Sequence, residues 1–279
     1  MSYANTARPV VVDLGSGTGL SSRWAAGWAA SVTGIEPNDD MRAIAESRPA
    51  PGVEYRRGLA HQTGLAERTA DIVLAVQAMH WMEPGPTVAE VARILRPGGV
   101  LAVIDADWPP VAGIARAEAA WVAVHRRIRV FETRAAFGET GEDLRRPVAD
   151  DDPALADDDL ADPHRNRVMP GGLRSWSKSG HLDRLASSGY FPLTRELVLN
   201  EAVDGAADRF VALMRSQGSY QGLARMGLSD EDIGIGDFER EVRAAFLDAR
   251  SFSGLSFSWR VRLGVTAEST ARHSGPVMP

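Results

Sequence analysis

The stretch that most constrains this chain is Val10-Val11-Val12-Asp13-Leu14 followed by Gly15-Ser16-Gly17-Thr18-Gly19. Consecutive valines and a leucine leave no solvent-facing period, the pattern of a strand buried on both faces. The glycines allow a tight turn and bring backbone N–H groups close to a ligand, because no Cβ intervenes. Ser21 to Ala30 suits a helix, whose N-terminus favours anionic groups. A buried strand, a glycine turn and a helix together open a nucleotide-binding α/β unit.

A dinucleotide fingerprint reads G-x-G-x-x-G, its last glycine allowing close helix–strand packing. Here Leu20 stands at that position and the extra glycine is Gly19. The spacing G-x-G-x-G therefore disfavours a nicotinamide-dependent oxidoreductase. At 279 residues the chain suits one large domain, or one domain with a substantial insertion. It contains no cysteine, which excludes disulfides, thiolate nucleophiles and cysteine-based zinc sites. A net charge of -6 argues against nucleic acid as the main partner. No basic start leads into an apolar core, and no run reaches bilayer-spanning length. The expectation is a cytoplasmic protein with no membrane partner.

Along the first third, buried strands alternate with helices. Ser31 to Glu36 reads as a second strand ending in a carboxylate, stopped by Pro37, with Asp39, Asp40 and Met41 opening a helix. An acidic side chain at that strand end can accept both ribose hydroxyls of a nucleotide, which makes Glu36 a binding candidate. Val53 to Gly58 reads as a third strand and Ala70 to Val76 as a fourth, running into Gln77-Ala78-Met79-His80-Trp81. In an open parallel sheet, ligands bind beyond the carboxyl ends of strands, so Gln77 and His80 belong to the site region. Thr87 to Leu95 has helical periodicity, Arg96-Pro97-Gly98-Gly99 breaks it, and Val100 to Asp105 is a fifth apolar strand.

Asp13-Leu14-Gly15-Ser16-Gly17-Thr18-Gly19 resembles the D/E-x-G-x-G-x-G motif of class I S-adenosylmethionine (SAM)-dependent methyltransferases. Leu95-Arg96-Pro97-Gly98-Gly99 before a strand is typical of the same class, and Gly58 to Leu65 is similar to its loop beside adenine. Over residues 10–105 the composite resembles the small-molecule group that includes the trans-aconitate and ubiquinone-biosynthesis enzymes. The resemblance implies an α/β fold with a Rossmann-like doubly wound sheet, mostly parallel with an antiparallel last strand. It also implies a helical lid insertion after strand five. The domain boundaries expected are 1–105 for the SAM-binding half, 106–180 for the lid, 181–267 for the rest of the Rossmann-like domain and 268–279 for a tail. The implied cofactor is SAM, leaving as S-adenosylhomocysteine (SAH). The cofactor-binding set is Asp13, Gly15, Ser16, Gly17, Gly19, Glu36, Pro37, Met41, Ala60, His61 and Gln77. Relatives often carry an acidic residue where His61 stands. They also usually carry one or two helices before the first strand, whereas only Met1 to Pro9 precede it here, so an open pocket is expected.

Beyond residue 106 the pattern changes. Ala115 to Phe137 is amphipathic, with Trp121, Val122, His125, Ile128 and Phe131 expected on one face. Pro147 to Asp162 reads as a solvated loop. Trp108, Trp121 and Trp176 are candidate aromatics for an acceptor pocket. Helices are expected over Leu182–Ser188, Asp204–Ser216 and Phe238–Phe252, and Gly189 to Leu199 reads as a sixth strand. Ser216 to Tyr220 reads as a break, and Ser229 as an N-cap. Leu255 to Val265 alternates with period two, the signature of the antiparallel last strand.

A sulfonium-borne methyl group needs no further electrophile, so alignment supplies most of the acceleration. A base matters for a phenol, an alcohol or a carbon acid. His80, just past the fourth strand, is the first candidate, and His125 on the insertion helix the second. Gln77 is placed to orient the acceptor or the sulfonium end of SAM. Arg126, Arg127, Arg129 and Arg134 are candidates for a carboxylate on the acceptor. Nucleobase amino-methylation needs an Asn/Asp-Pro-Pro-aromatic turn that Val76-Gln77-Ala78-Met79-His80 does not supply. Asp105 and Asp107 lie where metal-dependent catechol enzymes cluster carboxylates, but no metal site is indicated. The partner expected is a small-molecule methyl acceptor, with the oligomeric state left open. The alternative reading is a SAM-binding protein without methyl transfer, cyclase-like or regulatory.

Overall fold

The computed structural model describes residues 6–107, 110–149, 167–168, 174–249 and 254–268. The expectations for Trp108, for the acidic run 150–152 and for the tail beyond 268 fall outside them. The chain divides into two compact units. The first comprises 1–105, 179–197 and 261–279, and the second 106–178 and 198–260.

The first unit is built on β1 (Val10–Leu14), β2 (Ser31–Ile35), β3 (Val53–Arg56), β4 (Ala70–Val76) and β5 (Leu95–Ala106). With β8 (Leu193–Val203) and β9 (Leu255–Val265) they form one seven-stranded sheet in the order β3-β2-β1-β4-β5-β9-β8. β1 pairs in parallel with β2 and β4, β2 with β3, and β4 with β5. β9 runs the other way against β5: Thr266 N–H donates to Gly99 O, and Asp107 N–H donates to Ser258 O. The sheet is therefore mostly parallel with an antiparallel last strand, as the sequence implies.

The apolar strands are buried on both faces because neighbouring residues feed separate cores. Val12, Leu14, Val73, Leu101 and Val103 pack with Val88, Val91 and Ile94 of α3 (Pro84–Ile94) and with Leu185 of α6 (His181–Ser187). Val11, Val32, Leu74, Val100 and Leu263 pack on the other side with Ala25 of α1 (Leu20–Ala26) and with Ala29. Arg96-Pro97-Gly98-Gly99 does not lie outside the sheet. The pairing passes from Ala70 opposite Leu95 directly to Ile72 opposite Val100, so these residues bulge within β5. Pro97 has no N–H to offer a ladder, and a bulge tolerates that.

The second unit is helical. Its core joins α4 (Ala115–Ala136) to α7 (Ala207–Arg215), α8 (Gly218–Arg225) and α10 (Ile235–Asp248), with α9 (Asp230–Ile233) between the last two. The buried stripe of α4 is Ala117, Trp121, Val124, Ile128 and Phe131, and Val122 is exposed. Adjacent residues lie about 100° apart on a helix, so Trp121 and Val122 cannot both face one core. The expected break at Ser216–Tyr220 is short, since Gly218 already opens α8. The sequence groups 181–267 with the sheet, but Val198–Arg260 clusters with 106–178, because Phe210, Met214, Phe238 and Val242 pack on the α4 stripe.

Candidate functional site

The glycine loop follows β1 and is held by the end of β2. Gly15 N–H and Ser16 N–H donate to Ile35 O at 2.8 and 3.2 Å. Gly17 N–H donates to Glu36 Oε2 at 2.9 Å, and Asn38 N–H donates to Glu36 Oε1 at 2.8 Å. Both oxygens of this buried carboxylate are thus oriented by backbone, and each retains a lone pair for a further donor. Gly15 has φ +65°, and a Cβ there would sit 2.7 Å from the Ala78 Cβ. The turn therefore lies directly against the segment that follows β4. Gly17 has φ +54° and Gly19 φ +79°. The Met41 methyl flanks Gly17, at 3.4 Å from where a Cβ would stand. Met41 belongs to α2 (Asp39–Glu46), which Asn38 caps by accepting from Met41 N–H at 3.0 Å. Pro37 is exposed at the turn into that helix.

Two residues of the binding set have side chains turned into the scaffold. Asp13 is fully buried, and its Oδ2 accepts from Ser21 Oγ at 2.7 Å and Ser22 Oγ at 2.6 Å. Burial raises its pKa to about 6, against the lowering effect of those two hydroxyls. Ser16 Oγ is buried against Gly34, where a Cβ would meet it at 2.8 Å. Asp13 ties the loop to the first turn of α1, and Ser16 seals it onto β2.

Ala60 and His61 form the tip of a tight turn closed by Gln62 N–H donating to Leu59 O at 2.9 Å, and His61 is exposed. The turn is latched to α3. Thr63 N–H and Oγ1–H donate to Glu90 Oε1 at 3.0 and 2.5 Å, while Arg93 Nε donates to Glu90 Oε2 at 2.7 Å. The Arg93 hydrogen bonds, followed by those from Thr63, hold the Glu90 carboxyl at about 2.

The end of β4 carries backbone strain. Gln77 has φ +52°, rare for a residue with a side chain, and its N–H donates to Ile104 O at 2.8 Å. The 3₁₀ turn Met79–Trp81 follows, with the His80 ring 4.8 Å from Trp81. His80 Nδ1 lies 3.8 Å from Asp105 Oδ1 at the end of β5. The other oxygen, Asp105 Oδ2, accepts from Arg262 Nη1 of β9 at 3.0 Å and lies 3.8 Å from His181 Nε2 of α6. Arg262 Nε in turn donates to Glu196 Oε2 of β8 at 2.8 Å. Asp105, His181 and Arg262 are all buried.

In the helical unit, His125 Nε2 accepts from Arg129 Nε at 3.2 Å. Burial, reinforced by Arg129, lowers the His125 pKa to about 4. The Nε2 lone pair is therefore engaged by Arg129. Glu132 is also buried there, with its carboxyl pushed up by burial. The arginines of this helix do not form one face: Arg127 donates to Val148 O, Arg134 to Arg146 O, and Arg129 is buried beside His125. Trp121 is a core residue, packed at 5.0 Å from Phe210 and 6.1 Å from Phe238, and Trp176 is half-buried.

The structure brings the glycine loop, Glu36 and Met41 together and sets Ala78 against them. Sequence reasoning missed the partners of His80. Asp105 was visible only as a strand-end acid, and His181, Glu196 and Arg262 carried no local motif. Among the described residues no group of three or more His, Asp or Glu is arranged to hold a metal ion. No helix among them is long and apolar enough to cross a membrane.

Residues 12–103 match the family described as a methyltransferase domain. An uncharacterized methyltransferase of Mycobacterium tuberculosis is 34% identical over 94 residues, covering 34% of this chain and 38% of that protein. The phthiotriol/phenolphthiotriol dimycocerosates methyltransferase of Mycobacterium leprae is 36% identical over 100 residues, covering 35% of this chain and 37% of that one. The chain thus spans less than two fifths of the length of these curated relatives. A solved candidate type II methyltransferase from Anaeromyxobacter dehalogenans shares the fold at TM-score 0.59 and 19% identity, over 95% of this chain and 93% of that one. The YcgJ protein of Bacillus subtilis does so at TM-score 0.50 and 16% identity, over 94% and 93%. From residue 12 to residue 103, then, the chain matches the methyltransferase-domain family, on a fold that those solved structures share over nearly their whole length.

Proposed function

We propose that the protein is a cytoplasmic SAM-dependent methyltransferase acting on a small organic acceptor. The observation that carries the reading is Glu36, a buried carboxylate fixed by Gly17 N–H and Asn38 N–H at the rim of the glycine loop. A carboxylate oriented in this way accepts two vicinal hydroxyls, the pair a ribose presents. The residues fit the cofactor: Gly15, Gly17 and Gly19 line the backbone turn, Met41 and the Ala60–His61 tip flank the nucleoside, and Gln77 stands at the end of β4. Asp13 and Ser16 build the loop from behind. When bound, SAM supplies a methyl group already activated on a sulfonium. The protein's part is then to bind, to align the acceptor in line, and to exclude water. We assign His80, just past the end of β4, the removal of an acceptor proton.

Calorimetric titration with SAH, with NAD as control, tests the cofactor. Micromolar SAH binding with no NAD response is expected, and Glu36→Ala should weaken it by about tenfold or more, the loss of two hydrogen bonds to a charged group. Unchanged affinity in that variant would sink the ribose assignment, and NAD binding in place of SAH would sink the cofactor. Methyl transfer to a panel of acceptors then separates an enzyme from a binding protein.

A further inference from the structure

The two end strands of the sheet are built differently. Among the described residues, the order β3-β2-β1-β4-β5-β9-β8 leaves β3 and β8 with a neighbour on one side only. An end strand presents a row of N–H and C=O groups that a second chain can pair. β3 is blunted against this: it has four residues and exposes Glu54 and Arg56. β8 has neither protection. It runs for eleven residues without proline or glycine, and its Leu193, Leu197, Val198 and Leu199 are 43, 37, 50 and 55% exposed. Its register on β9 is fixed, since Glu196 accepts from Arg262 Nε at 2.8 Å and Asn200 Oδ1 accepts from Ser258 Oγ at 2.8 Å.

The strand is also complementary to itself. Val198 is the midpoint of Leu193–Val203, so two antiparallel copies related by a two-fold axis at Val198 pair over their full length. Leu197 then opposes the partner's Leu199, and Arg195 opposes the partner's Glu201, each pair occurring twice by symmetry. Arg195 and Glu201 are both exposed. Glu201 Oε2 accepts from Trp259 Nε1 at 3.3 Å, and a carboxylate has lone pairs for an arginine as well. No like charges meet in this register. Moving the axis by one residue sets Glu201 against a leucine and loses both ion pairs. We propose that the protein forms a homodimer in which β8 pairs antiparallel with β8 of a second copy about Val198, joining the two sheets into one. About ten backbone hydrogen bonds form, because every second residue exchanges two with its partner. The leucine pairs and the ion pairs set the register. The interface is isologous and closed: pairing uses up the long edge, and the short charged β3 is left at either end.

Analytical ultracentrifugation of the full chain tests the pairing, with a dimer expected at micromolar concentration. Arg195→Glu and Glu201→Arg each set like charges against one another twice, and each should raise the dimer dissociation constant about tenfold or more. Mixed in equal amounts, the two variants again present opposite charges to each other, so a heterodimer should form where neither variant dimerises alone. Circular dichroism shows whether each variant folds. Should either fail, Val198→Cys carries the test, because the chain has no other cysteine. Mild oxidation should link that variant to its own copy, since residues opposed across the axis lie about 4.5–5.5 Å apart at Cα, within disulfide reach. Leu193→Cys, roughly 30 Å from its copy in the same pairing, should stay unlinked. A chain that remains monomeric overturns the proposal, as does open-ended association. A dimer that both charge variants leave intact, or that Val198→Cys does not link, places the interface elsewhere and overturns it too.

Discussion

Asp13 shows how one buried carboxylate ties loop integrity to pH. Its folded pKa of about 6 lies above the ordinary 3.8, so between those values the folded chain holds a proton that the unfolded chain releases. Its contribution to stability therefore falls as pH rises from about 4 to 6 and is least favourable above 6. Asp13→Asn removes that dependence. The melting temperature of the variant minus that of the parent should rise between pH 4 and pH 7, and a flat difference would refute burial as the cause. Gly15 is constrained by space as well as by φ, since a Cβ would stand 2.7 Å from the Ala78 Cβ. Gly15→Ala should cost about 1–3 kcal/mol in denaturant unfolding and weaken SAH binding. The glycines, Asp13 and Glu36 were legible in the sequence because each sits at a fixed offset from a strand end. That Asp13 faces Ser21 and Ser22, and that Ser16 faces β2, was not legible, since a side chain's direction at a turn depends on which strand lies beside it.

At the scale of elements, the loop carrying Ala60 and His61 is as firm as its latch on α3. Glu90 is held at about 2 against an ordinary 4.5, with Arg93 the main cause. A depressed carboxylate stabilises fully above 4.5 and loses its contribution as pH falls toward 2. Glu90→Gln should therefore lower stability by about 1 kcal/mol at pH 7, a value suited to a partly exposed partner, with the gap closing below pH 4. Thermal melts across that range decide it. The capping box of α9, in which Ser229 Oγ accepts from Asp232 N–H while Asp232 Oδ2 accepts from Ser229 N–H, was readable as an N-cap signal. Ser229→Ala should cost about 1 kcal/mol. Arg96–Gly99 reads in the sequence as the break that ends the preceding helix, because proline and glycine end helices and strands alike. Only the register with β4 reveals that the strand resumes on the same ladder.

Across the whole molecule, the two units have separate cores of different physics. The sheet unit buries β-branched strands on two faces, and the helical unit gathers Trp121, Phe210 and Phe238 into one aromatic cluster. Phe210 is fully buried there. Phe210→Ala should destabilise the protein by about 3–5 kcal/mol, while the SAH affinity of the folded protein stays within about twofold.

The sequence by itself determined the order of strands and helices through residue 105, the glycine loop, the acidic end of β2 and the antiparallel β9. These rest on local periodicity and on short motifs, which physics writes into neighbouring residues. Tertiary structure alone decided that 198–260 joins the helical core. It also decided that Trp121 packs in the aromatic core and that Arg129 donates to His125 Nε2. Above all it assembled the Asp105 network. His80, Asp105, His181, Glu196 and Arg262 are scattered along the chain, and the sheet order β4-β5-β9-β8 brings Arg262 of β9 and Glu196 of β8 beside the end of β5. No spacing rule can foretell a charge cluster closed by strand order, because its members share no local period.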